Sequence, residues 1–138
     1  MAHKDLSRRT RFMGRRSDQW IKDLQSDDVE KRRKAADVLG WIGAEAIPPL
    51  ISALRDRDSG VRDLAATSLG DLGAEAVPAL LSTVQDGDPN SRKSSIQAIA
   101  KIGPESVPAI FDLLRQPSTI SDVKKSLLKS METMGSQA

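Results

Sequence analysis

The sequence predicts an all-α protein, an α-solenoid of about four helix hairpins that repeat every 30 residues. The segment Gly43–Pro48 recurs as Gly73–Pro78 and again as Gly103–Pro108, and apolar positions between these segments keep the same step of 30 residues. Aromatic residues make up only 3% of the 138 residues, which argues against a strand-rich sandwich or barrel. A fixed period of this length is typical of solenoids, because one hairpin cannot bury its apolar stripe without neighbours.

Each unit is predicted to contain a longer helix, which we call A, and a shorter helix, which we call B. Asp58 is placed to cap an A helix, because its carboxylate can accept hydrogen bonds from the free amides of the first turn. Gly73 can end that helix in a left-handed conformation, and Pro78 fits the first turn of the B helix that follows. The apolar residues between these signals lie on one helical face: Val61, Ala65, Ala66, Leu69 and Leu72.

The repeat domain is predicted to span residues 17–138, after a basic N-terminal arm or degenerate helix at residues 1–16. Its units lie at approximately 17–27, 28–57, 58–87, 88–117 and 118–138. The first unit keeps only a B helix beginning near Ser17, in which Trp20 shares a core column with Leu50, Leu80 and Ile110. The last unit keeps only an A helix, from about Ser121 to Met134. This helix lacks a B partner, so its apolar edge suggests a contact between two copies of the chain.

These units resemble the HEAT-like repeats of the phycobilisome-lyase (EZ-HEAT) type, best seen in the second full unit. The residues that match the family pattern are Asp58, Val61, Arg62, Ala65, Ala66, Leu69, Gly70, Leu72, Gly73, Pro78 and Leu81. The resemblance covers residues 17–135, with Ser95 and Ile96 standing where the family has two alanines. It implies a right-handed superhelix, with A helices on the outer surface and B helices on the inner one.

The composition argues against most enzyme classes. The chain has no cysteine, which excludes disulfides, thiolate metal sites and cysteine catalysis, and its one histidine is His3 near the N-terminus. No glycine-rich phosphate loop is found. We therefore expect no catalytic residue, no cofactor and no metal site. No run of 18 apolar residues exists, so we expect no membrane span and, by default, a cytoplasmic location.

Charge is distributed unevenly along the chain. Residues 1–16 contain six basic side chains and one acidic one, whereas the remaining chain contains 15 basic and 18 acidic ones. The arm is either a solubilising tail or a contact for nucleic-acid phosphates, anionic lipid or an acidic protein surface. Its candidate binding residues are Arg8, Arg9, Arg11, Arg15 and Arg16.

A second basic cluster, residues 31–34, begins the first A helix, where the helix dipole disfavours positive charge. Lys31, Arg33 and Lys34 are therefore candidates for binding an acidic partner, against the alternative of a solvated face. Arg32 belongs instead to a column with Arg62 and Arg92. We favour a structural Asp–Arg ladder for this column over an anion-binding one, because it recurs with the repeat.

Trp41 is the most informative single residue, because its column contains Asp71 and Lys101 in the other units. It is either an interface anchor or, as we favour, packs against the N-terminal segment near Phe12 and covers the end of the array.

The inner surface is predicted to be a groove lined by small residues of the B helices. Ser52, Ser82, Thr83, Asp86 and Asp112 are its candidate binding residues. The other residues expected there are Gln19, Lys22, Pro49, Ala53, Ala79 and Ala109.

The favoured function is a non-enzymatic scaffold or adaptor that binds another protein through this groove, with the arm as a second contact. One alternative is an accessory nucleic-acid-binding protein that uses the arm. The second, implied by the resemblance, is a bilin-lyase-like accessory subunit. A deoxyhypusine hydroxylase-like activity, also found among such repeats, is excluded because its paired His-Glu ligands are missing.

Overall fold

The computed structural model describes residues 17–86, 88–116 and 121–137, and within them every regular element is helical. The α-helices are α1 (Ser17–Asp23), α2 (Val29–Leu39), α3 (Ile47–Ala53), α4 (Ser59–Leu72), α5 (Val77–Asp86), α6 (Pro89–Ile102), α7 (Val107–Leu114) and α8 (Ser121–Gln137). Helices α2, α4, α6 and α8 are A helices, and α1, α3, α5 and α7 are B helices. The predicted all-α solenoid is confirmed.

The helices form two layers. Neighbouring A helices pack side by side, each B helix packs on the A helix of the next unit, and α5 contacts both α3 and α7 within the B layer. Three hairpins are complete: α2 with α3, α4 with α5, and α6 with α7. As predicted, α1 is a leading B helix and α8 a trailing A helix, which runs to Gln137 rather than ending at Met134. The unit boundaries drawn from the sequence stay a prediction.

Three aspartates cap the A helices. The carboxylates of Asp28, Asp58 and Asp88 accept hydrogen bonds from the backbone amides of Glu30, Val61 and Ser91 at 2.9, 3.0 and 2.8 Å. Each bond satisfies an amide that the helix itself leaves without an acceptor. The 30-residue spacing of these aspartates therefore sets where α2, α4 and α6 begin.

In each complete hairpin, a glycine lies in the link between the A helix and the B helix. Gly43, Gly73 and Gly103 have φ of 122°, 77° and 82°. Their ψ values, −162°, −146° and −147°, place them outside the left-handed helical region that we predicted for Gly73. This backbone region is essentially restricted to glycine. It turns the chain into a short 3-10 turn, which leads to a B helix with proline near its start.

The core lies between the two layers and follows the repeat columns. Trp20 is 4% exposed and Leu50, Leu80 and Ile110 are fully buried, which confirms the predicted core column. Alanines allow the A helices to approach closely, since Ala36 is fully buried and Ala66 is 4% exposed. This close approach covers the apolar stripe of each hairpin, as stacking requires.

The arginines of the predicted column form hydrogen bonds with backbone carbonyls near the links between units. The Arg62 Nη1 donates to the carbonyl of Asp56 at 2.7 Å, and the Arg92 Nε donates to that of Val84 at 3.0 Å. Arg32 binds the carbonyls of Ser26 and Asp27, and its Nε lies 3.0 Å from the Asp56 carboxylate. The structural interpretation therefore holds, but most of these partners are backbone carbonyls rather than the capping aspartates.

The capping aspartate Asp58 instead forms an ion pair with Arg33 of the preceding unit. Arg33 Nε and Nη2 donate to the two Asp58 carboxylate oxygens at 2.9 and 3.1 Å, so that α2 is joined to the start of α4. Gly60 makes room for this pair, because a Cβ there would lie 2.7 Å from Arg33 Nε. The hydrogen bond from Arg33 and that from the Val61 amide lower the pKa of Asp58 to about 2.

The ion pair predicts an acid-dependent loss of stability. Because the pKa of Asp58 is lower in the folded chain than its usual value near 3.8, the stabilisation is complete above that value and is lost as pH falls through about 2. Asp58→Asn keeps a capping group but removes the charge. We expect it to be less stable than the wild type at neutral pH, with the difference disappearing between pH 4 and pH 2.

Urea unfolding at a series of pH values measures this difference. Asp63→Asn, an exposed change on the same helix, controls for net charge. A difference in free energy of unfolding between the wild type and Asp58→Asn that stays constant down to pH 2 would contradict the assigned role of the pair.

Candidate protein-binding surface

The outward surface of the B layer presents one strip of residues, which we call the B-face strip. Lys22, Ser52, Ser82 and Asp112, one from each B helix, are exposed at equivalent positions of the repeat. Beside them, the exposed Gln19 and the half-buried Pro49, Ala79 and Ala109 form a second row. The same 30-residue step that fixes the core therefore aligns the strip across successive helices.

The strip has small neutral residues in the middle and opposite charges at its ends. Lys22 lies on the first B helix, and Asp112 lies on the last, where it pairs with Arg115 just after the end of α7. Ser52 and Ser82 lie between them and present only short hydroxyl side chains. Such a surface can contact a chain closely and fix its direction by charge.

Within the described ranges, no three His, Asp or Glu side chains come together in a way that could hold a metal ion. Among the same residues, none of the helices combines the length and apolar character that crossing a bilayer requires. His3 lies outside the described residues, as does Phe12.

The prediction that Thr83 lines the groove is wrong. Thr83 is 5% exposed and its hydroxyl donates to the Ala79 carbonyl at 3.0 Å. Its column continues with Ala53 and Leu113, which are 7% and 6% exposed, so Ala53 is also not a groove residue. The column is buried where adjacent B helices pack against each other. Leu113 was the signal in the sequence, because an apolar residue in the same column indicates a packing position.

The remaining groove candidate, Asp86, is the last residue of α5, and its side chain lies outside the described residues. The arm candidates Arg8, Arg9, Arg11, Arg15 and Arg16 lie outside them too.

The basic cluster at the start of α2 is mostly engaged within the fold. Arg33 donates to Asp58 and also pairs with Glu30 at 3.2 Å, and its hydrogen bond to the Asp58 carboxylate raises the pKa of Arg33. The Nζ of Lys34 lies 5.9 Å from the centroid of the Trp20 ring, a cation–π distance. Lys31 is exposed. Lys31, Arg33 and Lys34 therefore have different roles, which their shared charge does not reveal in the sequence.

Trp41 is half-buried and lies in the link between the end of α2 and the 3-10 turn that follows. The residues of its column in the next two units, Asp71 and Lys101, form an ion pair at 2.9 Å that joins α4 to α6. Asp71 is only 13% exposed in this pair, so the column is a contact between units rather than a free polar surface. The predicted covering of Trp41 by the N-terminal segment stays a prediction.

Two exposed apolar side chains mark the C-terminal end of the array. Phe111 and Leu128 are 50% and 49% exposed, whereas their repeat equivalents Leu81 and Ala66 are 8% and 4% exposed. In interior units the following hairpin covers these columns, and α7 and α8 have no such neighbour among the described residues. The predicted contact between two copies through this edge stays a prediction.

Substitutions at two adjacent positions of α5 test which of its faces is exposed to solvent. Ser82→Arg changes an exposed position, so we expect a change in the free energy of unfolding of at most about 0.5 kcal/mol. Thr83→Arg places a charge between packed B helices, and we expect a loss of about 3 kcal/mol or more. Thermal unfolding measures both, and equal tolerance of the two arginines would contradict the assigned orientation of α5.

Fluorescence tests the environment of Trp41. In Trp20→Phe, emission comes from Trp41 alone, and we expect a maximum at shorter wavelength than that of free tryptophan in water. If residues 1–16 cover the ring, their deletion in the same variant moves the maximum to longer wavelength. No change on deletion would remove the arm from this contact, and a water-like maximum in the full chain would show that the ring is not packed.

No curated protein matches the chain. Among solved structures, a crystal structure of an engineered protein from the Northeast Structural Genomics Consortium is 25% identical, with a TM-score of 0.44. The match covers 87% of this chain and 62% of that one, so this chain spans less than two thirds of its length.

A family model described as HEAT repeats matches residues 17–86, just over half of the chain and the region from α1 to the end of α5. With its stacked A and B helices, aspartate caps and 30-residue step, the chain belongs to the HEAT-repeat family.

Proposed function

We propose that this protein is a non-enzymatic adaptor that binds another protein through the B-face strip. The observation that supports it most is that Lys22, Ser52, Ser82 and Asp112 repeat in register and are exposed, while the adjacent column of Thr83 is used for packing. HEAT repeats in general serve protein–protein interaction, which agrees with this use of the surface.

The size of the strip suits a helical or extended segment of a partner. Neighbouring packed helices lie about 8–10 Å apart, so four B helices present a strip roughly 30 Å long. A helix of about 20 residues has this length. The charges at the ends favour one direction, with acidic groups of the partner near Lys22 and basic groups near Asp112.

The N-terminal arm is a second proposed contact, through Arg8, Arg9, Arg11, Arg15 and Arg16. If it binds nucleic acid, affinity falls steeply with salt, because each neutralised phosphate releases counterions. The family match is to HEAT repeats in general, and no observation favours the phycobilisome-lyase subtype or a bilin-lyase-like role. The cytoplasmic location also stays a prediction.

Site-specific cross-linking tests the strip. A photoreactive amino acid is placed at position 52 or 82 in the full chain, and at position 67 as a matched control. Ser52, Ser82 and Thr67 are all exposed small hydroxyl residues of interior units, but Thr67 lies on the A helix α4. In extract from the native cell, we expect one protein partner to be captured from 52 and 82 and not from 67.

The captured partner is then purified and its affinity measured against the wild type and Ser82→Arg. We expect Ser82→Arg to weaken binding at least tenfold, about 1.4 kcal/mol. Capture from position 67 alone, or an affinity unchanged by Ser82→Arg, would overturn the assignment. Binding of generic DNA or RNA that is lost on deletion of residues 1–16, without a protein partner, would establish the nucleic-acid alternative instead.

A further inference from the structure

A groove in the A layer, on the other side of the molecule from the B-face strip, separates α6 from the terminal helix α8. It has a volume of about 500 Å³. The equivalent space between α4 and α6 has only about 290 Å³. Ile96, Ala100 and Pro89 provide the apolar part of the wider groove, and Lys93 and Lys129 provide exposed positive charges on its two sides.

Two departures from the repeat pattern explain why this groove is wider. Ile96 stands in the column of Ala36 and Ala66, so a bulkier side chain lies where alanine lets the other A helices approach. Between α4 and α6, the stem of Lys101 fills the space over Gly70, at 2.7–2.9 Å from the position of a Cβ there. The counterpart of Lys101 on α8 is Thr133, which is too short to fill the same space.

The widening leaves one buried hydroxyl without an acceptor. In the interior, the Oγ of Ser68 on α4 donates to the Ala36 carbonyl of the preceding A helix at 2.6 Å. Ser130 is its counterpart on α8 and lines the groove, yet its Oγ has no hydrogen-bond partner although the residue is only 6% exposed. A buried hydroxyl without a partner is costly, because it has lost its hydrogen bonds to water, so an acceptor placed in the groove would be stabilised.

We propose that the groove between α6 and α8 binds an acidic, partly apolar peptide segment of a partner protein. Apolar side chains of the segment pack on Ile96 and Ala100, its carboxylates pair with Lys93 and Lys129, and a carbonyl oxygen accepts the hydrogen bond from Ser130. The interior pair of Ser68 and Ala36 is the precedent, because there the acceptor is a backbone carbonyl.

The charges and shape of the groove select this occupant. The chain's own residues 1–16 carry six basic groups and one acidic group, so Lys93 and Lys129 would repel them. Several lining residues are exposed, including Pro89, Gln97 and Lys129, so a small ligand would remain largely in water. A peptide that lies along two adjacent helices uses the open length of the groove. This site is separate from the B-face strip and does not depend on it.

Fluorescence anisotropy with model peptides tests the proposal on the full chain. The probe is a labelled peptide of about 12 residues, three to four helical turns, built from Leu, Glu and Ala. Comparison peptides replace Glu by Lys, or Leu by Ser. We expect saturable binding of the acidic apolar peptide and at least tenfold weaker binding of both comparison peptides.

Variants then locate the site. We expect Lys129→Glu to weaken binding at least tenfold, whereas Lys125→Glu, the same change at an exposed position of α8 outside the groove, leaves it within about twofold. Ser130→Ala removes one neutral hydrogen bond, and we expect it to weaken binding about fivefold. Circular dichroism confirms that each variant is folded.

The outcomes separate this proposal from the B-face strip. Equal loss with Lys129→Glu and Lys125→Glu, or binding unaffected by both, overturns the groove assignment. Loss caused by Ser82→Arg overturns it too and places the peptide on the B-face strip. Binding of dodecanoate, measured directly by titration calorimetry, without binding of any peptide would identify a small anionic ligand and contradict the peptide proposal. The peptide-binding test of the groove does not depend on whether cross-linking at positions 52 and 82 captures a partner.

Discussion

The structure depends on the close packing of one A helix against the next. A single hairpin of α4 and α5 exposes a complete apolar stripe, and only a neighbouring hairpin covers it. Alanines at 36 and 66 allow this contact, and Ser68 adds a hydrogen bond across it to the Ala36 carbonyl. The ion pairs of Arg33 with Asp58 and of Lys101 with Asp71 join successive units at the rim of the same interface.

The two ends of the array follow from the same constraint. A terminal unit has no neighbour on one side, so its stacking columns are either exposed or covered by something else. At the C-terminal end, Phe111 and Leu128 occupy columns that the interior buries. The junction of α6 and α8 is also less closely packed, because Ile96 and Thr133 replace residues that suit tight contact. Departures from the repeat pattern therefore mark the parts of the A layer most suited to binding.

In the B layer, one column of residues packs between helices and the neighbouring column is exposed. Its helices pack on each other through the column of Ala53, Thr83 and Leu113, and this contact turns the neighbouring column of Ser52 and Ser82 outward. A periodic surface of small side chains, with a lysine at one end and an aspartate at the other, suits recognition of a chain.

The sequence by itself determined the helices, their order and most of the core. The 30-residue step, the capping aspartates and the glycines act through local geometry, so they can be recognised without the fold. Only the tertiary structure decided the role of each polar residue. Thr83 differs from Ser82 because a neighbouring helix covers it, and Arg33 differs from Lys31 because Asp58 of the next unit lies within reach. The unpaired hydroxyl of Ser130 depends on the separation between two helices, and no spacing along the chain encodes that distance directly.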